Sequence, residues 1–213
     1  MITVLLVDDH QIVRSGIKRI LQDAEDIEVI SEASSGEEAI SKVKELHPNV
    51  VLMDVSMPGI GGIEATRKLL RVDSNLKIIA LTVYADEPYP TSLLEAGAAG
   101  YLTKGCDVEE IVNAIRAVNR GEPYIVKDVA QQMALSKLPG GKKNPFEKLS
   151  QREVQVMLMI TQGQKLQDIS DKLCLSPKTV STYRYRLYEK LSVENDVELT
   201  HLAIRHGMID QIQ

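Results

Sequence analysis

The sequence predicts a chain of two domains, an α/β domain with a parallel, doubly wound sheet followed by an all-α domain of four helices. Three observations carry the prediction. From residue 2 to about 120, short β-branched runs alternate with amphipathic stretches; a segment rich in Pro, Gly and Lys breaks the pattern near residues 138–148; beyond it, strand signals vanish and helix-start signals recur. The 213 residues, 44% hydrophobic and 26% charged, suffice to bury two cores.

The elements follow in order. ITVLLV (2–7), IEVISEA (27–33), NVVLMDV (49–55), LKIIALT (76–82) and AGYL (99–102) are strand candidates. Periodic segments beginning near Gln11, Gly36, Gly62, Thr91 and Asp107 supply a helix after each strand. Such alternation marks a parallel sheet covered on both faces, and five units within residues 1–120 predict a flavodoxin-like (βα)5 domain. Pro88 and Pro90 precede the fourth helix and are expected to shorten or delay it.

Residues 121–147 are expected to form a linker, helical in part: YIVKDVAQQMALSKL can form a helix, whereas LPGGKKNPFEK holds two Pro, two Gly and three Lys. Residues 148–213 form the second domain. Ser150 with Glu153 makes a capping box, Ser176 precedes a Pro at the first helical position, and Asn195 with Glu198 repeats the box. Helices are expected near 150–162, 166–173, 177–191 and 196–206.

No apolar run is long enough to span a bilayer, and the N-terminus enters a strand without a signal peptide, so a cytoplasmic protein is expected. Cys106 and Cys174 lack metal-like or redox spacing and read as ordinary thiols. The net charge of −5 is uneven: residues 1–120 hold 12 basic against 19 acidic residues, residues 148–213 hold 9 against 8. An acidic chain argues against nucleic acid unless its cations gather on one element.

The strand ends carry the chemistry. Asp8 and Asp9 end the first predicted strand, Asp54 the third and Thr82 the fourth, and Lys104 follows the fifth. In a sheet of this type all five fall on the edge where ligands bind. Three carboxylates there repel one another unless a divalent cation neutralises them, and oxygen ligands suit Mg²⁺. Taken singly, each residue has a plainer role: Asp8 or Asp9 could cap a helix, Thr82 end a strand, Lys104 sit in a loop. A carboxylate closing the apolar run VVLM, however, needs a partner. Together they suggest phosphoryl transfer onto Asp54, with Lys104 placing a charge on one phosphoryl oxygen and Thr82 donating a hydrogen bond to another.

VLLVDDH, VVLMDVSMPGIGG, IIALT and AGAAGYLTK resemble the receiver domain of response regulators over residues 1–120. The resemblance implies phosphorylation at Asp54, an active site of Asp8, Asp9, Thr82 and Lys104, and Mg²⁺ held by Asp9, Asp54 and the Ser56 backbone carbonyl, with Asp8 acting through water. It also implies a switch pair, Thr82 and Tyr101; taken alone, Tyr101 reads as a half-buried strand aromatic. Val83 and Gly105 depart from the small residue and the Pro that many receivers place there.

In the second domain, LQDISDKLCLSPKTVSTYRYRLYEKL gives a helix, a turn at Cys174–Ser176 and a second helix from Pro177, a helix-turn-helix. At helical spacing Val180, Tyr183, Leu187 and Leu191 share one side, and Lys178, Ser181, Thr182 and Tyr185 the other. Arg184, Arg186 and Lys190 flank the second set, where phosphates would lie, and Lys165 is counted with them as DNA-binding. The plainer alternative is a surface helix with solvated charges.

LSQREVQVMLMITQGQ and ISDKLCLSPKTVSTYRYRLYEKL resemble the LuxR/NarL family of regulators. That resemblance makes the helix from Pro177 the recognition helix, double-stranded DNA and RNA polymerase the partners, and a homodimer, paired around Glu198 to His206, the active form. Through MPGIGGIEATRKLL, DVAQQMALS, LMITQGQK, LSPKTVSTYRYR and DVELTHLAIRHG the chain resembles the GacA/UvrY/LetA group over nearly its full length. Members of that group take their phosphoryl group from a hybrid sensor histidine kinase and switch on small regulatory RNAs that sequester the repressor CsrA. The implied protein is a phosphoacceptor and no metabolic enzyme. A haloacid-dehalogenase-like phosphatase would need an Asp at position 56, where Ser56 stands; a phosphorylation-independent docking module would have no use for the full pocket.

Overall fold

The computed structural model describes residues 1–57, 59–83, 89–136 and 145–206. Their contacts fall into two units, one ending at Ala134 and the other beginning at Leu135. The segments 84–88 and 137–144, which hold Pro88 and most of the Gly- and Lys-rich stretch, lie outside the described residues.

The first unit is a six-stranded parallel sheet in the order β2-β1-β3-β4-β5-β6. Its strands are β1 (Ile2–Val7), β2 (Ile27–Ala33), β3 (Val50–Asp54), β4 (Lys77–Thr82), β5 (Gly100–Thr103) and β6 (Tyr124–Ile125). The intervening helices are α1 (Gln11–Leu21), α2 (Gly36–Leu46), α3 (Gly61–Val72), α4 (Tyr89–Glu95) and α5 (Val108–Asn119), with α6 (Lys127–Ser136) after β6. Strand order reverses between β1 and β3, which places the ligand edge at their carboxyl ends. Val50, Val51, Met53, Ile78, Ile79 and Ala80 are wholly buried, as the central strands of a sheet covered on both faces must be. The registers pair Val7 with Met53, Asp54 with Leu81 and Thr82 with Thr103, so the residues that close β1, β3, β4 and β5 stand nearly level.

Two expectations change. The sequence predicts five strands and a linker from residue 121, whereas Tyr124 and Ile125 add a sixth strand beside Gly100 and Tyr101, and Val126 and Val129 are buried. A two-residue strand has no period to detect; Gly121, at φ 86°, turns the chain back toward the sheet. The fourth helix starts at Tyr89 rather than near Thr91, because Pro90 sits in its first turn, where a missing N–H costs no hydrogen bond, and at 7 residues it is shortened as expected.

The second unit holds a 3-10 turn (Pro145–Lys148) and α7 (Gln151–Thr161), α8 (Leu166–Lys172), α9 (Pro177–Leu191) and α10 (Asp196–Arg205). These are the four predicted helices, each within a few residues of its predicted bounds. The caps explain why: Ser150 and Glu153 complete a reciprocal box, Ser176 Oγ accepts from Thr179 N–H, and Asn195 Oδ1 accepts from Glu198 N–H. Phe146, Val156, Met157, Ile169, Val180, Leu187, Leu199 and Ala203 form the buried interior. Among the described residues no helix is long and apolar enough to cross a membrane.

Candidate functional site

The edge at the carboxyl ends of β1 and β3 gathers the predicted residues. Asp8 and Asp54 are each 2% exposed and Thr82 is fully buried. Lys104 follows β5, where its backbone N–H donates to the Thr82 carbonyl at 2.7 Å. Its Nζ then reaches 2.7 Å from Asp8 Oδ2 and 3.1 Å from Asp54 Oδ2, bridging the two carboxylates. Ser56 N–H donates to Asp54 Oδ1 at 3.2 Å, and His10 N–H to Asp8 Oδ1 at 2.8 Å. Neither Asp8 nor Asp9 caps α1: the capping position is His10, whose side chain makes no capping hydrogen bond. Asp9 is partly exposed, and its Oδ1 lies 2.9 Å from His10 Nδ1.

Charge in this pocket is out of balance. Burial, and secondarily the charge of Asp8, raise the Asp54 carboxyl above the usual carboxylate range despite Lys104. Burial alone would depress the Lys104 ammonium, but its close ion pairs with Asp8 and Asp54 hold it above its ordinary value. The ammonium thus pairs with two carboxylates, Asp8 and Asp54, while the third, Asp9, lies against His10. Although Lys104 lies within ion-pairing distance, Asp8 Oδ2 and Asp54 Oδ2 receive no aligned hydrogen bond, and neither does Asp9 Oδ1. Ligand atoms of Asp8, Asp9, His10 and Asp54 lie within 4.8 Å of one another. Buried oxygen donors with unused lone pairs and surplus negative charge are the chemistry of a Mg²⁺ pocket, and these residues fit that ion.

Tyr101, on β5, is fully buried rather than half-buried. One contributor escaped the sequence reading. Gly62 N–H donates to the Val55 carbonyl at 3.0 Å, and a Cβ at Gly62 would stand 2.1 Å from the Asp54 carbonyl oxygen. Only a glycine lets α3 begin this close behind Asp54. The signal was the Gly61-Gly62 pair that follows the aspartate.

The second unit carries the other candidate surface. Cys174 takes a left-handed φ of 53° in the turn between α8 and α9, and Leu175 N–H closes that turn on the Ser170 carbonyl. On α9, Val180, Leu187 and Leu191 are buried as predicted, while Lys178, Thr182, Tyr185 and Arg186 are exposed and Ser181 is half-buried. Tyr183, expected among the packing residues, is half-buried, and with Ser176, Lys178, Thr179, Thr182 and Arg186 it lines a shallow open groove. Thr179 is a groove residue that the periodicity did not single out. Lys165 is exposed ahead of α8.

The predicted DNA-binding cations divide into two kinds. Among the described residues Lys178, Arg186 and Lys165 take part in no ion pair, whereas Arg184 is turned onto Asp196 and Tyr188, and Lys190 onto Glu153 at 2.7 Å. Helical spacing places a Cα on a face; it does not report which carboxylate from another helix waits there.

Comparison with known proteins finds two family models along the chain. Residues 4–116 match the response regulator receiver domain, and residues 147–203 match bacterial regulatory proteins, luxR family. The chain is 58% identical over 210 residues to the response regulator GacA of Pseudomonas protegens, with 99% of each chain covered. It is 57% identical over 209 residues to the response regulator UvrY of Escherichia coli K12, covering 98% of this chain and 96% of that one. A solved structure of RcsB from Salmonella enterica serovar Typhimurium, bound to promoter rprA in the presence of the phosphomimetic BeF3-, is similar at a TM-score of 0.71 and 27% identity, with 95% and 98% of the two chains covered.

Proposed function

Because the chain belongs to the response regulators that join a receiver domain to a luxR-family DNA-binding domain, we propose that phosphorylation of Asp54 controls DNA binding by α9. The protein is a two-component response regulator and DNA-binding transcription regulator of the GacA and UvrY type, a phosphoacceptor and not a metabolic enzyme. Receiver work is assigned to residues 1–120 and DNA reading to 148–213, with 121–147 joining them.

In this reading an Asp54 carboxylate oxygen attacks the phosphorus of a phosphohistidine on a hybrid sensor histidine kinase. The O–P bond forms as the P–N bond breaks, and the imidazole leaves with the electron pair. Asp9, Asp54 and the Ser56 carbonyl would hold Mg²⁺, with Asp8 acting through water; when bound, the ion neutralises charge on the phosphoryl oxygens. Lys104 exchanges the Asp54 carboxylate for a phosphoryl oxygen while keeping Asp8. The Thr82 hydroxyl donates to a second phosphoryl oxygen, and the Tyr101 ring follows Thr82 in the switch. The single observation behind the reading is the Lys104 bridge between the Oδ2 atoms of two buried carboxylates, neither of which receives an aligned hydrogen bond.

At the other end, the face of Lys178, Ser181, Thr182 and Tyr185 enters a major groove, and Arg186 and Lys165 approach the backbone. The active form is a homodimer that recruits RNA polymerase in the cytoplasm. Its promoters are those of small RNAs acting on the CsrA system, by likeness to the GacA and UvrY relatives.

The test is incubation of full-length protein with radiolabelled acetyl phosphate and Mg²⁺. One label per chain on the wild type and none on Asp54→Ala is expected, together with phosphate-enhanced DNA binding that the variant loses. An unlabelled wild type would leave the docking module standing, and multiple turnover of small phosphate esters would favour the phosphatase.

A further inference from the structure

We propose that Arg184 is a positioning residue that clamps the recognition helix to the next helix, and not a phosphate contact. The proposal rests on the reading of α9 as the DNA-facing helix. Arg184 lies in the middle of α9 and Asp196 is the first residue of α10, twelve positions on. The guanidinium grips the carboxylate with two edges: Nε donates to Asp196 Oδ1 at 2.9 Å while Nη2 reaches Oδ2. Tyr188, one turn along α9, completes the cluster by donating its hydroxyl to Asp196 Oδ1 at 2.6 Å, and its ring lies 5.6 Å from the guanidinium carbon.

Three features make this a clamp. A bidentate guanidinium–carboxylate pair is directional, so it fixes an angle as well as a distance. The hydrogen bonds to Asp196 hold the Arg184 guanidinium above its ordinary pKa, so it stays charged. The connection spans only residues 192–195: Ser192 leaves α9 in a left-handed conformation at φ 54°, Val193 N–H returns to the Tyr188 carbonyl, and Asn195 caps α10. Tyr188 thus holds the connection through its backbone and Asp196 through its side chain. Asp196 at the positive end of α10 gains from the helix dipole as well. The direction of α9, and with it the placement of Lys178, Thr182 and Arg186, is set relative to α10 by these three side chains.

A phosphate contact and a clamp have opposite signatures. Replacing a phosphate-binding cation lowers the salt dependence of binding by about 0.9 in the log–log slope. Replacing a cation already neutralised by a carboxylate lowers affinity and leaves the slope alone. The probe is a duplex selected on the wild-type protein from a random-sequence pool, titrated against full-length protein with acetyl phosphate and Mg²⁺ at several salt concentrations.

Arg184→Ala, Arg184→Lys and Asp196→Asn are each expected to weaken binding on the order of tenfold with an unchanged slope. The pair Arg184→Glu with Asp196→Arg is expected to recover most of the loss. A slope that falls in Arg184→Ala, or binding that tightens in Asp196→Asn as a freed guanidinium reaches the backbone, overturns the clamp. So does a charge swap that binds worse than either single change. Circular-dichroism melting of each variant separates misfolding from misplacement, since the swap must melt like wild type for its recovery to count. Lys178→Ala and Arg186→Ala are run alongside and are expected to lower both affinity and slope. If neither does, the reading of α9 fails and the clamp falls with it; if they behave as expected, an aberrant Arg184 result falls on the clamp alone.

Discussion

Lys104 and Gly62 show how differently single residues announce themselves. Lys104 was legible because a lysine two residues beyond a predicted strand end, beside aspartates at other strand ends, has few plainer uses in this sheet type. Gly62 was not, since its role is an absence of atoms. It is therefore the sharper test of the packing behind Asp54. In Gly62→Ala the added methyl must displace the Asp54 carbonyl, 2.1 Å from the Cβ position, or push α3 outward. A loss of about 1–3 kcal/mol in urea unfolding is expected from overpacking, with slower labelling from acetyl phosphate because the carboxylate shifts with its own backbone. Unaltered stability and labelling would mean that α3 moves freely, and that the tight start after Asp54 does not position the nucleophile. Arg184 is a third case: its place on α9 was legible but its partner was not, because Asp196 belongs to another helix.

At the scale of elements, caps were the most readable feature and short pairings the least. Ser150, Ser176 and Asn195 each cap the helix predicted from them, since capping is a local interaction over three residues. The strand β6 depends on Gly100 and Tyr101, more than twenty residues earlier, and nothing local reports it. Helix α2 has a local cap with a pH signature. Glu38 accepts from Ser34 N–H at 2.7 Å and Ser34 Oγ at 2.9 Å, and pairs with Lys42 at 2.6 Å. Lys42 first, and then the Ser34 backbone, lower its pKa from 4.5 to about 2. A depressed carboxyl stabilises the fold above its unfolded value and loses that contribution as pH falls through the folded one. Glu38→Gln is thus expected to melt below wild type above pH 4.5, and the difference is expected to close as pH approaches about 2. The side chain is 39% exposed, so solvent screening keeps the gap small. A gap constant across that range would assign the effect to lost packing.

For the whole molecule, net charge of −5 hides a division that decides how DNA is approached. The acidic first 120 residues repel a phosphate backbone, and in the second unit Arg184 and Lys190 are neutralised by Asp196 and Glu153. Among the predicted DNA-binding cations this leaves Lys165, Lys178 and Arg186 to meet phosphates. Counterion release then gives the affinity a log–log salt slope of about −3 for one chain and about −5 for two. The small number of cations also argues for paired binding, since three contacts on one chain amount to nonspecific association, and a second copy doubles them without new chemistry. The expected outcome is a slope near −3 without a phosphoryl donor that steepens to about −5 with acetyl phosphate and Mg²⁺, and no steepening in Asp54→Ala. Fluorescence anisotropy on a labelled duplex, with protein mass followed in parallel, measures both. An affinity that rises on phosphorylation at constant slope would mean that the modification uncovers α9 on a single chain, and pairing would then have no part in the response.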